Sequence, residues 1–472
     1  MKRLIAVLMA AALFAAVPAL AQDPGHVKIA PNNIGDLLIF PFYYTDDSGI
    51  ATKLTVVNTS ETKSTVAKVV IKTWAKSKEV RDFLIYLSPA DVWTGYIVSL
   101  GGTVYLVSFD DSMHDENGRW GSADNPVKIH LQPADKDDTN WLGYVYVINA
   151  ATDTDTDGAG DDRQRLGGAP GILKAKIYDW YYGFEDSDKT NLKNENEFSL
   201  YTGDQARPEN ILAGWMELTY GYLYNISGLN ATTLADYQNR AYISAGDTTL
   251  LSRVFPDEDG DQYGGSYARN SLSDIEAVLA KIRVAMPYVK GAFDLPEFTV
   301  HMFTFPTKDI AEGVRSPFFK PKTEKDPMAC ISVDRKIYDL TERSVSRAFS
   351  PPLPADDFCN EVQYIFTDNF PFSEGWARYT FPKGPTTDNN TIWNEVRNNS
   401  TLTYEGTPVI PTLFDITFGE VFTSLRYGAW DDPSPGVTVS DSVGGTVYPV
   451  EGFNDMVNYK YSNIPYPSEF TP

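Results

Sequence analysis

The stretch Asp36–Tyr44 reads "DLLIFPFYY", and Ala51–Trp74 follows as "ATKLTVVNTSETKSTVAKVVIKTW". β-Branched and aromatic residues dominate both runs. Within the second, "KLTVVN" and "TVAKVVIKTW" flank a polar turn at Asn58–Lys63. Apolar and polar residues roughly alternate there, as expected for strands with one face on a core. Working outward, "DFLIYL", "VWTGYIVSL", "TVYLVSF" and "LGYVYVINA" repeat the theme, separated by Pro, Gly, Asp and Asn. Short strands with turn residues at this spacing predict a mainly β chain opening with an antiparallel, immunoglobulin-like β-sandwich. The Cys–Trp–Cys pin of antibody domains is absent, so only the architecture is implied.

The sandwich is expected over 22–150. From 151 to 295 the rhythm changes, which predicts an insertion or middle region with acidic loops and one helix. Ser273 and Glu276 form a capping box, Ile275, Val278, Leu279 and Ile282 fall at helical spacing, and Pro287 ends the run. "TTLADYQNRAYI" from Thr232 is a weaker helix candidate. After Pro296, "EFTVHMFTF", "VQYIFTDNF" and "GWARYTFP" predict a second β-rich domain over 296–472.

The first residues, "MKRLIAVLMAAALFAAVPALAQ", combine Lys2 and Arg3, an apolar run and small residues at Ala19 and Ala21. That is the pattern of a secretory signal over 1–21, which places the mature chain outside the cytoplasm, in the periplasm or at the cell surface. The run is shorter than the roughly 20 residues a membrane-spanning helix needs, and no later stretch is longer. The 63 acidic residues outnumber the 40 basic ones, for a net charge of −23. Such a surface repels phosphate backbones, so nucleic acid is a poor partner. A hydrophobic content of 42% and an aromatic content of 13% identify a folding chain rather than a disordered one. The two cysteines, Cys330 and Cys359, are expected to pair in an exported protein.

Two acidic stretches attract cations. "DTDTDGAGDD" offers Asp153, Asp155, Asp157 and Asp161 around Gly158, and "DEDGDQYG" offers Asp257, Asp259 and Asp261 around Gly260. Calcium takes about six to eight hard oxygens at flexible geometry, which alternating aspartates on a tight turn begin to supply. Gln164 and Ala268 stand where an EF-hand needs its bidentate acid, so neither is an EF-hand. Free-standing calcium loops are the expectation, against the plainer one of solvated acidic turns.

Other chemistry is thinly represented. "FDDSMHDENGRW" holds a single His114 among its acids and reads as a polar hairpin loop. None of His26, His114, His130 and His301 sits in a nucleophile or metalloprotease frame. Alternation places His301 with Phe303 and Phe305, as a packed strand residue. For glycoside hydrolysis the nominees are Glu217 and Glu374, each near a tryptophan (Trp215, Trp376). "KIYDWYYGF" sets Tyr178, Trp180 and Tyr182 together, as a sugar platform, a protein contact or simply core.

The segment "NIGDLLIFPFYYTDDSGIATKLTVVNTSETKSTVAKVVIK", with "LSPADVWTGYI" and "WLGYVYVINA", resembles the opening of a group of uncharacterised exported Gram-negative cell-surface proteins. The resemblance spans about 120 residues and implies a sandwich and an extracytoplasmic location. It brings no site and no activity. Together these features predict a non-enzymatic surface or extracellular structural protein, self-assembling or bound to protein partners. The alternative is a secreted carbohydrate-binding protein or glycoside hydrolase.

Overall fold

The computed structural model describes residues 27–77, 79–132, 139–153, 174–178, 209–220, 224–236, 275–276, 278–290, 297–308, 330–346, 356–382, 385–387, 400–417, 425–426, 438–441 and 447–449. The expected signal segment lies outside them.

The first unit comprises β1 (Lys28–Ile29), β2 (Leu37–Tyr44), β3 (Ile50–Asn58), β4 (Thr65–Thr73), β5 (Glu79–Leu87), β6 (Val92–Leu100), β7 (Thr103–Ser108), β8 (Val127–His130), β9 (Leu142–Thr152), β10 (Leu212–Tyr220), β11 (Tyr224–Asn230) and β12 (Thr232–Ala235). They make two antiparallel six-stranded sheets, ordered β1-β12-β2-β9-β4-β5 and β11-β10-β3-β6-β7-β8. Leu38 and Phe40 of the first sheet press on Gly214 of the second, where an added Cβ would lie 2.8 and 2.9 Å from them. The chain is therefore mainly β and built on an antiparallel sandwich.

The boundary expected at 150 does not hold. β10 pairs with β3 along its whole length, and β12 inserts between β1 and β2, so residues 212–235 complete the first sandwich. Only a long-range return of the chain supplies these neighbours, and local periodicity carries no trace of it. The weaker helix candidate accordingly fails at its start, where Thr232–Ala235 is strand. The capping-box helix is also cut short. Residues 275–276 and 278–279 are helical, but β13 (Ala280–Lys281) and β14 (Arg283–Val289) follow at once. Ile275, Val278 and Leu279 are buried and join the first core. Pro287 sits inside β14, which a proline tolerates because β14 is an edge strand.

The second unit adds β15 (Glu297–Thr304), β16 (Ile331–Asp339), β17 (Ser344–Ser346), β18 (Asp356–Phe358), β19 (Val362–Phe366), β20 (Glu374–Thr380), β21 (Pro385–Thr387), β22 (Ser400–Glu405), β23 (Thr407–Pro408), β24 (Ile410–Thr417), β25 (Leu425–Arg426), β26 (Thr438–Asp441) and β27 (Val447–Pro449). One sheet runs β14-β20-β16-β17 with β18 also on β16, and another runs β19-β15-β24-β25. Phe303, Phe305, Ile337, Tyr379 and Phe381 are among the residues of a core that draws on both sheets. β13 pairs with β23, and β21-β22-β26-β27 form a further sheet.

The two units share hydrophobic core. Alternation along β15 sends His301, Phe303 and Phe305 one way, while Val300 and Met302 join the first unit's cluster together with Val362 and Ile410. The seam is also hydrogen-bonded. Thr304 Oγ1 donates to the carbonyl of Pro41, and the N–H of Val362 donates to the carbonyl of Trp74 at 3.0 Å. Pro41 sits at a bulge in β2, where the ladder with β9 skips a step.

One expectation about the deciding stretch is overturned. Every residue of β4 is buried, Lys68 and Lys72 included, and so is every residue of β9. Lys68, Val70 and Lys72 oppose Ile148, Tyr146 and Tyr144, on the face turned away from Leu38 and Phe40. Both faces of this sheet are thus covered, as in a layered protein rather than a free-standing sandwich. Lys68 is accommodated because its ammonium reaches Asp82 at 2.5 Å, near the edge strand.

Candidate functional site

Among the described residues, a cluster of charged side chains lies at the end of the first sandwich, where the β5–β6 and β7–β8 loops meet the helical turn 174–178. Asp91 closes the β5–β6 loop. Its Oδ2 accepts from the Ser88 N–H at 2.9 Å and the Ser88 hydroxyl at 3.1 Å, and its Oδ1 accepts from the Val92 N–H at 2.9 Å. Such self-capping is what aspartate does well in turns. Lys174 enters from the helical turn with its side chain 3% exposed, and its ammonium is in contact with Asp91 Oδ2. It also donates to Ser112 Oγ at 2.7 Å and lies 3.8 Å from Asp111 Oδ1. Burial pushes the Lys174 ammonium down to about 7, an effect its carboxylate neighbours oppose. Burial likewise raises Asp110 and Asp111 above the usual carboxylate range.

Beside this charged knot, four rings close on one another. Tyr86 stacks on His114 at 5.8 Å, and Trp120 and Tyr178 meet both edge-on, at 5.1 to 5.5 Å. Lys174 and Tyr178 are four apart and share one side of the turn, so a single helical turn is anchored by charge at one end and by aromatic packing at the other. The hairpin that carries His114 and Trp120 is a tight loop. Asp115 Oδ1 caps the N–H groups of Asn117 and Arg119 at 3.0 and 2.9 Å, which helps hold the Asp115 carboxyl below its usual range.

A second feature crosses the seam between the units. Tyr44, Trp141, Trp74, Tyr364 and Phe366 form a chain of ring contacts at 5.6, 6.1, 6.0 and 5.4 Å. The first four rings are half-buried, and Phe366 is 47% exposed. Trp74 Nε1 donates to Thr139 Oγ1 at 2.8 Å, and the Tyr44 hydroxyl donates to Asp46 Oδ2 at 3.0 Å. Burial and the Asp46 charge push Tyr44 up to about 12.

Of the sequence-predicted ion ligands, Asp153 is buried at the end of β9, its N–H donating to the Ser64 carbonyl at 3.0 Å. Asp155, Asp157, Asp161, Asp257, Asp259 and Asp261 lie outside the described residues, as do Trp180 and Tyr182. Among the described residues no three His, Cys, Asp or Glu side chains are grouped to hold a metal. Cys330 and Cys359 form a disulfide beside the β16–β18 ladder.

Glu217 and Glu374 are not brought together as a catalytic pair. Glu217 belongs to β10 and pairs with Lys53 at 2.7 Å, whereas Glu374 is exposed on β20 of the second unit. Trp376, beside it, stacks on Tyr338 at 4.0 Å with the planes 5° apart. Gly375 permits this close pairing of β16 and β20: its φ of 153° is glycine territory, and a side chain there would strike the Tyr338 carbonyl.

His301 is fully buried. Pro287 offers only a carbonyl, so His301 Nε2 carries the proton and donates to it at 2.8 Å, while the Tyr379 hydroxyl donates to Nδ1 at 2.7 Å. Burial lowers His301 to about 4, with Arg335 adding to the effect, against the pull of the Pro287 carbonyl.

The Lys174 knot was missed from the sequence because its parts come from three segments. Asp91 does lie in "LSPADVWTGYI", one of the stretches that carry the family resemblance. Comparison with protein-family models, with curated proteins and with solved structures returned no match.

Proposed function

We propose that this chain is a non-enzymatic, exported structural protein of the cell surface, assembling with copies of itself or with protein partners, its acidic loops stiffened by calcium. The observation that carries this is the use made of reactive side chains. His301 is clamped by Tyr379 and Pro287, Lys68 is paired with Asp82, and Lys308 is paired with Glu361 at 3.2 Å inside the protein. Each serves as a fastener in a double β unit that a disulfide further ties. The secretory pattern of the first residues and the resemblance of the opening segment agree with this role. Sedimentation velocity on the mature chain tests it: species larger than a monomer should form in calcium and loosen with a chelator. A strict monomer indifferent to chelator overturns the proposal.

A second reading, binding of an uncharged glycan, is favoured by the aromatic row from Tyr44 to Phe366. Aromatic faces pack against sugar rings, and a net charge of −23 turns away anionic polymers. Binding on a glycan array that Trp74→Ala and Tyr364→Ala both remove supports it; a silent array removes it.

A further inference from the structure

We infer that Lys174 and Asp91 join through an isopeptide amide, a covalent staple between the 174–178 turn and the β5–β6 loop. The structural role proposed above does not require this bond, and the bond does not require that role.

Condensing an amine with a carboxyl needs the two in contact, a carboxyl carbon held and polarised, a carrier for protons, and little water. The Lys174 ammonium touches the Asp91 carboxyl, with side chains 3% and 18% exposed. Three donors, the Ser88 N–H, the Ser88 hydroxyl and the Val92 N–H, fix the Asp91 oxygens and stand ready to stabilise negative charge on them. Asp111 supplies a second carboxyl 3.8 Å from Lys174 Nζ. Ser112 Oγ orients the amine at 2.7 Å, while the Ser112 carbonyl accepts the Tyr86 N–H at 2.7 Å and ties the knot to the aromatic cluster. Burial of Lys174 and of Asp111 favours a neutral amine and a protonated acid, the forms the reaction uses. Other titratable groups nearby, among the described residues, include Asp110, whose Oδ1 accepts the Ser112 N–H at 2.8 Å, and His114, Tyr86 and Tyr178 of the ring cluster.

The step balances without any other reagent. The Lys174 Nζ lone pair adds to Asp91 Cγ, forming the C–N bond and a tetrahedral centre. Asp111 carries two protons in turn from nitrogen to Oδ2, the first as the ammonium becomes the attacking amine and the second from the nitrogen of the tetrahedral centre. The Cγ–Oδ2 bond breaks, its electron pair leaving with oxygen as water, and Oδ1 stays as the amide carbonyl on the Val92 N–H. An ammonium and a carboxylate become one neutral amide and one water. Two charges are thereby removed from a site where burying them is costly.

The test is intact mass spectrometry of the reduced full chain beside its Lys174→Arg variant, which keeps a cation against Asp91 but cannot condense in the same way. Wild type should weigh one water less than its sequence, the variant should show its full mass, and proteolysis of wild type should yield one branched peptide joining the Asp91 and Lys174 segments. Asp91→Asn should still cross-link, losing ammonia instead of water. Asp111→Asn should leave a larger share of chains unjoined. A wild-type chain at full mass, or a water loss without the branched peptide, overturns the inference and leaves an ion pair.

Discussion

His301 makes the stability of the second unit depend on pH in a calculable way. Its ordinary value near 6.5 falls to about 4 in the folded protein, chiefly because burial disfavours the imidazolium. The neutral form is thus the one the fold accepts. The stability this contributes is complete above pH 6.5 and is lost as pH falls toward 4, because the unfolded chain binds a proton that the folded chain refuses. Linkage puts the loss at about 2 kcal/mol by pH 5 and about 3 kcal/mol once the folded value is reached. Other groups titrate in the same window, so the measurement is a difference. Urea unfolding of wild type and of His301→Gln, followed by tryptophan fluorescence from pH 7.5 to 4.5, gives two curves. Wild type should lose about 2 kcal/mol more than the variant between pH 7 and 5. Parallel curves would refute the neutral, doubly hydrogen-bonded imidazole, whatever the absolute cost of the substitution.

Three further outcomes follow from the packing. Opening the Cys330–Cys359 bridge, which closes a separation of 29 residues, should cost roughly 3–4 kcal/mol in the chain-entropy picture, read as a lower urea midpoint for Cys330→Ser/Cys359→Ser. Glu361→Gln should destabilise by about 3–5 kcal/mol, because it leaves Lys308 buried with its charge uncompensated, and Lys308→Met/Glu361→Leu should recover most of that. Met302→Ala, at the shared core, should cost about 2–5 kcal/mol and lower a single calorimetric transition; two separated transitions would show that the units do not unfold together.

The β character of the chain could be read from local alternation, because side-chain period is a property of consecutive residues. "KLTVVN" and "TVAKVVIKTW" became β3 and β4, and "FTVHMFTF" became a strand whose buried histidine packs against Tyr379 and Phe370. What escaped was everything set by distant partners. The lysines of "TVAKVVIKT" read as polar positions of a half-exposed strand, yet both are buried. Ile275, Val278 and Leu279 did mark an apolar helical turn, but pairing of Ala280–Lys281 with β23 and of β14 with β20 outcompeted its continuation. The Lys174 knot was illegible for the same reason: a lysine in "ILKAKIYDW" becomes unusual only when Asp91 and Asp111 are folded against it.

The return of residues 212–235 into the first sandwich, and the doubly covered sheet beneath the second unit, bear on how this polypeptide is made. Synthesis delivers β2 and β3 long before β10 and β12 exist to flank them, and before Met302 or Ile410 can shield their surroundings. Until then the nascent product shows water two open sheet margins and a face lined by Ile39, Val70, Tyr146 and Ile148. Late, sequence-distant closure of this sort is slow and invites sticking to neighbours. A newly made molecule therefore depends on escort until its last strands arrive, and its yield should respond to chaperone supply more than to the strength of any one finished contact.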